Sequence, residues 1–414
     1  MAIRSEAGER ESPAPPRGLP TELCGARAMW AVAAQLVLLF VGSTLPTPLY
    51  VAYQRNFHFS EIALAMVFAA YACGALIALF FLGRLSDQIG RRAAALIALG
   101  VAAGSTIAFV VADSTAALTV GRALSGISVG IGAGTSTAWI AELHPTQDKA
   151  RATVVSTVAN VMGLAIGPLV AGVLAQYAPW PLRLVFVAFL LLFIPIVLIT
   201  RLSQETVESP VSSLRRLSLR PRIGIPKDIR APFVSPGATA FAIFAFTGFY
   251  TALIPSMLVQ TMHQTNHAIS GAVVGELFVA AAVVIAMTQA LDRRRAMLVG
   301  IALIVPSLVT LVLARDSESL TMLLLATALG GVSLGLGYRG SLQVVNELAP
   351  GDRRAEVLST YMVCSYAGLA IPVVGVGIMS EMTNAMLADT VFAVTIAVFA
   401  AVALFFGVRF PARK

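Results

Sequence analysis

Long apolar runs alternate with short polar connections over most of this chain. Twelve runs stand out, roughly 28–52, 61–82, 93–112, 116–140, 153–178, 182–200, 236–260, 268–290, 296–314, 319–345, 356–380 and 385–408. Each is close to the ~20 mostly apolar residues that cross the hydrocarbon core of a bilayer as a helix. A closed barrel would show alternating strands of about ten residues instead, a pattern these runs lack. Helices satisfy their own backbone groups in lipid, so the pattern predicts an all-α integral membrane protein with twelve transmembrane helices.

Most connections are very short. The longest, 201–235, divides the runs into two sets of six: a bundle over 28–200, and a second bundle with a short tail over 236–414. Residues 1–27 are polar, contain Pro13, Pro15, Pro16 and Pro20, and read as a disordered leader. The run that follows, about 25 residues from Ala28, is too long for a signal-peptide core and reads as a retained first helix.

The two sets are copies. Gly126, Gly130 and Gly132 fall on Gly331, Gly335 and Gly337 at an offset of 205 residues. The same shift carries Glu142, Leu143 and Pro145 onto Glu347, Leu348 and Pro350, Asp87 onto Asp292, and the "GLAI" at Gly163 onto the "GLAI" at Gly368. Six-helix copies in one orientation make two pseudo-symmetric bundles related by an axis along the membrane normal. Secondary transporters use this arrangement, with their site between the halves near the midplane.

Composition sharpens the membrane reading. The chain is 57% hydrophobic and only 12% charged, with a mean hydropathy of +0.83, whereas soluble domains carry about a quarter charged residues. The net charge of +8 raises the question of nucleic acid, and the placement of the charges answers it. Of 29 Lys and Arg, Arg55, Arg183 and Arg315 fall on one set of connections, Arg122 and Arg339 lie within runs, and the other 24 fall on the opposite connections and tails. The positive-inside rule then puts both termini and 201–235 in the cytoplasm, in a cell inner (plasma) membrane. Cations spread over every second loop, without aromatic platforms, do not form a nucleic-acid face. Trp30, Trp139 and Trp180 fall at run ends, where amphipathic rings prefer the interface.

Within 201–235, Val211, Leu214, Leu217 and Leu219 are interleaved with Arg215, Arg216, Arg220 and Arg222. This suits either a short helix on anionic lipid or a solvated basic linker. Cys24, Cys73 and Cys364 are far apart, the four histidines form no HExxH, and no G-x-x-x-x-G-K-[ST] loop occurs. No disulfide framework, metal site, cofactor or ATP-driven step is expected. The chain does not read as an enzyme.

Four charges sit on the connection "GRLSDQIGRR", Gly83–Arg92. It resembles the signature between the second and third spans of the major facilitator superfamily, G-x-L-x-D-x-x-G-R-[RK], at Gly83, Leu85, Asp87, Gly90, Arg91 and Arg92. The second copy, "TQALDRRR", keeps Asp292 without the leading glycine. Physically, Gly83 and Gly90 suit a tight turn and close approach. Asp87 suits the N-terminus of a neighbouring helix. Arg91 and Arg92 suit an acid such as Glu142. Together these groups read as a breakable latch between the bundles.

"LTVGRALSGISVG", Leu118–Gly130, resembles the family's fourth-span pattern at Arg122, with Ser125 in place of the usual glutamine. The resemblance implies proton coupling for Arg122; a structural arginine snorkelling outward is the alternative. "GLAIGPLVAG" resembles the fifth-span motif of the drug/proton antiporters at Gly163, Gly167, Pro168 and Gly172, with Ala171 in place of one glycine. Small residues at this spacing admit close helix packing, and the proline frees a backbone carbonyl. Glu276 lies about 10 Å inside the outer end of its run by helical rise. A carboxylate there is costly unless functional, which makes it a candidate for coupling. Gln35, Tyr71, Asn160, Tyr250, Arg339 and Tyr366 are candidates for the lining of a cavity.

Nearly the whole chain takes part in the resemblance. It implies a major-facilitator fold and a monomeric, proton-coupled exporter of small organic compounds, driven by the proton gradient and embedded in the lipid bilayer. Arg122 and Glu276 would couple, and Gly83, Asp87, Gly90, Arg91, Arg92 and Glu142 would gate. One alternative is a proton symporter importing an anionic metabolite, with Arg122 and Arg339 as counter-charges. A second is a membrane sensor or scaffold that binds its ligand without moving it.

Overall fold

The computed structural model describes residues 22–208 and 223–410. The expected leader up to residue 21 and the apolar positions 211–219 of the central connection lie outside the described residues. Among the described residues, twelve helices are long and apolar enough to cross a membrane. Spans 1 to 6 are Gly25–Phe57, Glu61–Leu82, Arg91–Val110, Thr115–Leu143, Arg151–Tyr177 and Leu184–Leu202. Spans 7 to 12 are Lys227–Ala252, His267–Met287, Arg293–Asp316, Leu320–Leu348, Arg354–Met382 and Met386–Arg409. Six of them start on a side-chain cap, at Ser60, Ser114, Asn266, Asp292, Ser319 and Asn384. Each cap oxygen accepts from an N–H of the first turn, which no intrahelical carbonyl reaches.

Several helices run past the ends of the apolar runs. Span 4 continues to Leu143 and span 10 to Leu348, past the expected run ends at 140 and 345 and through Glu142 and Glu347. Hydropathy ends with the hydrocarbon, but backbone hydrogen bonding continues into the interface. The seventh helix starts at Arg230, ahead of the expected 236. Pro232 sits in its first turn, where a missing N–H is tolerated, and Pro236 is accommodated inside it.

Spans 1 and 7 share a break. Span 1 consists of Gly25–Thr44 and Tyr50–Phe57 around a 3-10 turn at Thr47–Leu49, where Pro46 and Pro48 interrupt the helical hydrogen bonds. Leu253 separates Arg230–Ala252 from a short helix Ile254–Gln260 that begins with Pro255 at its second position. Leu253 lies 205 residues after Pro48, so the duplication includes the break.

The duplication also appears in the packing. A side chain at Gly126 or Gly130 of span 4 would meet the backbone of span 2 at Tyr71 and Ala75; at Gly331 or Gly335 of span 10 it would meet span 8 at Leu277 and Ala281. Gly132 packs on Leu39 of span 1, and Gly337 on Ile243 of span 7. Within the most apolar stretch of each helix, 78% of residues are buried in spans 1 and 7 but only 28% in spans 6 and 12. Spans 1 and 7 are therefore central. Spans 6 and 12 present side chains such as Ile194, Leu198, Val398 and Phe405 outward, to lipid.

Two surfaces result. The basic face carries the 83–92 connection and both ends of the described chain. The far face carries the connections near residues 58, 112, 180, 263, 318 and 383. The halves touch most extensively through span 5 on span 8, where Gly172 and Gly271 meet, and span 2 on span 11, where Gly377 faces Ala65.

Candidate functional site

A cavity of about 160 Å³ lies between the halves. Spans 1, 2, 4 and 5 supply Ser43, Thr44, Phe68, Tyr71, Arg122 and Asn160; spans 7, 8, 10 and 11 supply Phe244, Thr247, Phe278, Tyr338 and Tyr366. Arg122 is the one charged residue among the described lining residues. It is 2% exposed. Its Nη1 donates to the Ser43 carbonyl oxygen at 2.6 Å, and the guanidinium lies 4.7 Å from the Tyr71 ring centroid and 5.3 Å from that of Phe68. Such stacking offsets part of the cost of burying a cation. Nε has no hydrogen-bond partner.

Of the residues singled out in the sequence, Tyr71, Asn160, Tyr366 and Arg122 meet in this cavity. Gln35, Tyr250 and Arg339 lie outside its lining, each for a local reason. Gln35 bridges Ser136 and Thr200 inside the first bundle. The Tyr250 hydroxyl oxygen accepts from Thr327 at 3.3 Å inside the second. Arg339 donates to the carbonyls of Thr288, Gln289 and Leu291, satisfying the unpaired oxygens at the end of span 8. Glu276 is half-buried on span 8, outside the lining, with Oε2 unpartnered. Glu276 and Arg122, the two candidates for coupling, form no ion pair with each other in this conformation.

The fifth-span motif divides its work. Gly163 and Gly167 admit span 1 at Val37, Phe40 and Val41, while Gly172 admits span 8 at His267 and Gly271. Pro168 cannot donate to the Leu164 carbonyl one turn earlier. The Thr44 hydroxyl, from span 1, donates to that oxygen at 3.1 Å.

Hydrogen bonds close the halves together at the far face. Glu381 at the end of span 11 accepts from the Ile62 N–H in the first turn of span 2 at 3.0 Å. Gln260 donates to Glu61 at 3.0 Å, and Ser256 to Gln54 at 3.5 Å. The His267 N–H donates to Gln176 at 2.9 Å.

At the basic face the signature loop is tied within its own half. Arg91 makes two parallel hydrogen bonds to Glu142, at 2.8 and 3.2 Å, and also donates to Ser86 and Asp87. Asp87 is 57% exposed, and its described partner is Arg91 rather than a helix of the other half. Arg92 turns away from Glu142 to Glu22 and the Arg201 carbonyl. Glu205, which no motif pointed to, accepts from the N–H groups of Arg91 and Arg92 at 2.8 and 3.0 Å and so caps span 3. Gly90 has φ +98° and ψ 152°, a region open almost solely to glycine, and a Cβ there would lie 2.6 Å from Glu205 Oε2. In the second copy Asp292 caps span 9 itself. Among the described residues no group of three or more His, Cys, Asp or Glu side chains is placed to hold a metal ion.

Comparison with known proteins fits this geometry. The family model described as "Major Facilitator Superfamily" matches residues 32–373. No curated protein matches the sequence. Among solved structures, a bacterial homologue of the human lysosomal transporter Spinster, in an inward-facing and unoccupied conformation, superposes with a TM-score of 0.71 at 15% identity. The superposition covers 96% of this chain and 100% of that one. At that identity the likeness concerns the fold. The family match spans most of the chain and includes both bundles, so the chain belongs to the major facilitator superfamily and is a membrane-embedded secondary transporter.

Proposed function

We propose that the protein is a proton-coupled exporter of small organic compounds, working by alternating access in the cell inner membrane with its basic face in the cytoplasm. One observation carries this reading: a largely apolar cavity built equally from both halves, with its far side closed by contacts between them. A compound entering from the cytoplasmic side would reach Arg122 and the rings around it. Rocking of one half against the other would then exchange the far-face closure for one at the basic face. In that second state Asp87, Arg91, Arg92 and Glu142 act as the gate, with Asp87 freed to meet the other half. Glu276 and Arg122 carry the coupling. The fifth-span motif supports export, through its resemblance to antiporters.

Everted membrane vesicles test the reading. On imposing a proton gradient, a transported compound should accumulate inside while protons move out. Accumulation without proton movement removes the coupling, and accumulation only in right-side-out vesicles reverses the direction.

A second reading is favoured by the isolation of Arg122. A single uncompensated cation in the cavity suits a proton symporter that imports an anionic metabolite. Arg339 takes no part in it, because its guanidinium is held by the end of span 8. The direction measurement separates the two readings.

A further inference from the structure

We propose that the transported compound is a small monoanion built on one aromatic ring, bound with its acidic group on Arg122 and its ring among the tyrosines and phenylalanine contributed by the second half. The proposal rests on the cavity being the transport site, whichever way the compound moves.

The charge argument comes first. Arg122 is buried, lines the cavity and has no carboxylate partner among the described residues. One carbonyl bond and two ring faces hold the guanidinium in place, yet they leave its positive charge without a counter-ion and Nε without an acceptor. A buried charged donor left unpaired is expensive, and a carboxylate is the acceptor that matches the guanidinium fork. One cation in the lining neutralises one negative charge. A second would be buried unpaired, and a cationic compound would meet Arg122 at close range in a poorly screened site.

Shape and ring chemistry narrow the class. Tyr71 and Tyr366 approach across the two halves with centroids 6.5 Å apart and planes at 59°. Phe244 continues the series, at 6.4 Å and 63° to Tyr366 and at 5.8 Å and 62° to Tyr338. Tilted and edge-to-face rings at these separations attract one another, and a further planar ring extends the same set of contacts. The cavity of about 160 Å³ matches the roughly 150 Å³ known to admit one benzene ring. A ring seated there touches both halves at once, so its binding reports on their relative position.

Benzoate is the probe. Calorimetric titration of the purified full-length protein should give saturable binding of benzoate. Benzyl alcohol (ring without charge), acetate (charge without ring) and benzylammonium (ring with the opposite charge) should each bind roughly tenfold more weakly or worse. Arg122→Gln should remove the preference for benzoate over benzyl alcohol, and Arg122→Lys should restore part of it. Tyr366→Leu should weaken benzoate while leaving acetate unchanged. Equal affinity for benzyl alcohol or benzylammonium, or no saturable benzoate binding, overturns the proposal. Because the four probes are compared on the unaltered protein, a misfolded arginine variant does not decide the matter. Benzoate binding without proton movement in proteoliposomes counts against coupled transport alone. Proton movement driven by a cationic dye, with no benzoate binding, counts against the aromatic monoanion alone.

Discussion

At the scale of single residues, the Thr44–Leu164 hydrogen bond shows how a membrane helix tolerates proline. Pro168 leaves the Leu164 carbonyl without its helical donor, and in an apolar interior that oxygen is costly to leave bare. Thr44 donates to it from another helix. Thr44→Val should therefore destabilise the protein by about 1–2 kcal/mol, read as a lower thermal unfolding midpoint in detergent. In a Pro168→Ala background the residue at 168 donates to Leu164 itself, and the same Thr44→Val change should cost much less. Equal costs in the two backgrounds would show that Thr44 serves only its contacts within span 1, to Phe40 and Val41. Glu276 belongs to this scale too. Its Oε2 is buried without a partner on a membrane-spanning helix, where retaining an ionised carboxylate is expensive. Glu276→Gln should abolish gradient-driven transport and leave downhill exchange of substrate. Proton movement with substrate in proteoliposomes of that variant would assign Glu276 to packing.

Helix ends decide more at the scale of elements than helix middles do. Spans 2 and 11 pack side by side across the two halves, and at the far face the carboxylate of Glu381 sits on the first turn of span 2. An anion at a helix N-terminus is favoured by ~0.3–1 kcal/mol, both through its hydrogen bond and through the helix dipole. Glu381→Ala should shift the balance of states away from the far-face-closed conformation by up to about fivefold. The shift is measurable as faster labelling of a cysteine placed in the cavity, at Thr247, by a membrane-impermeant reagent applied from the far side. An unchanged labelling rate would show that the Glu381 contact contributes nothing to closing this face, which the other far-face contacts then hold. The basic face uses the same chemistry within one half: Glu205 caps span 3, and Gly90 leaves the room it needs.

For the whole molecule, charge placement sets orientation and duplication sets architecture. Both described chain ends and the 83–92 connection share the basic face, in line with the uneven division of cations between the two sets of connections. In a cysteine-free background, a single cysteine at Gln264 should react with an impermeant reagent applied to intact cells, and one at Arg215 should not. Reaction at 215 would invert the assignment of the basic face to the cytoplasm.

Twelve spans, their duplication and the location of the signature loop were determined by the sequence alone. Each rests on local or one-dimensional information: about 20 apolar residues make a span wherever they occur, and a copy announces itself by a constant offset. Gly126 and Gly331 reveal the repeat in sequence for the reason that they pack the same way in space. Which polar side chains face a common cavity was decided only by the tertiary structure. Arg122 and Arg339 look alike as arginines within apolar runs. Helix rotation turns one towards Tyr71 and Ser43, in the cavity, and the other onto the end of span 8. The grip of Glu381 on span 2 and that of Glu205 on span 3 join residues 319 and 114 positions apart. No motif carries such a contact, because a carboxylate acquires such a partner only when folding brings a bare helix end to it.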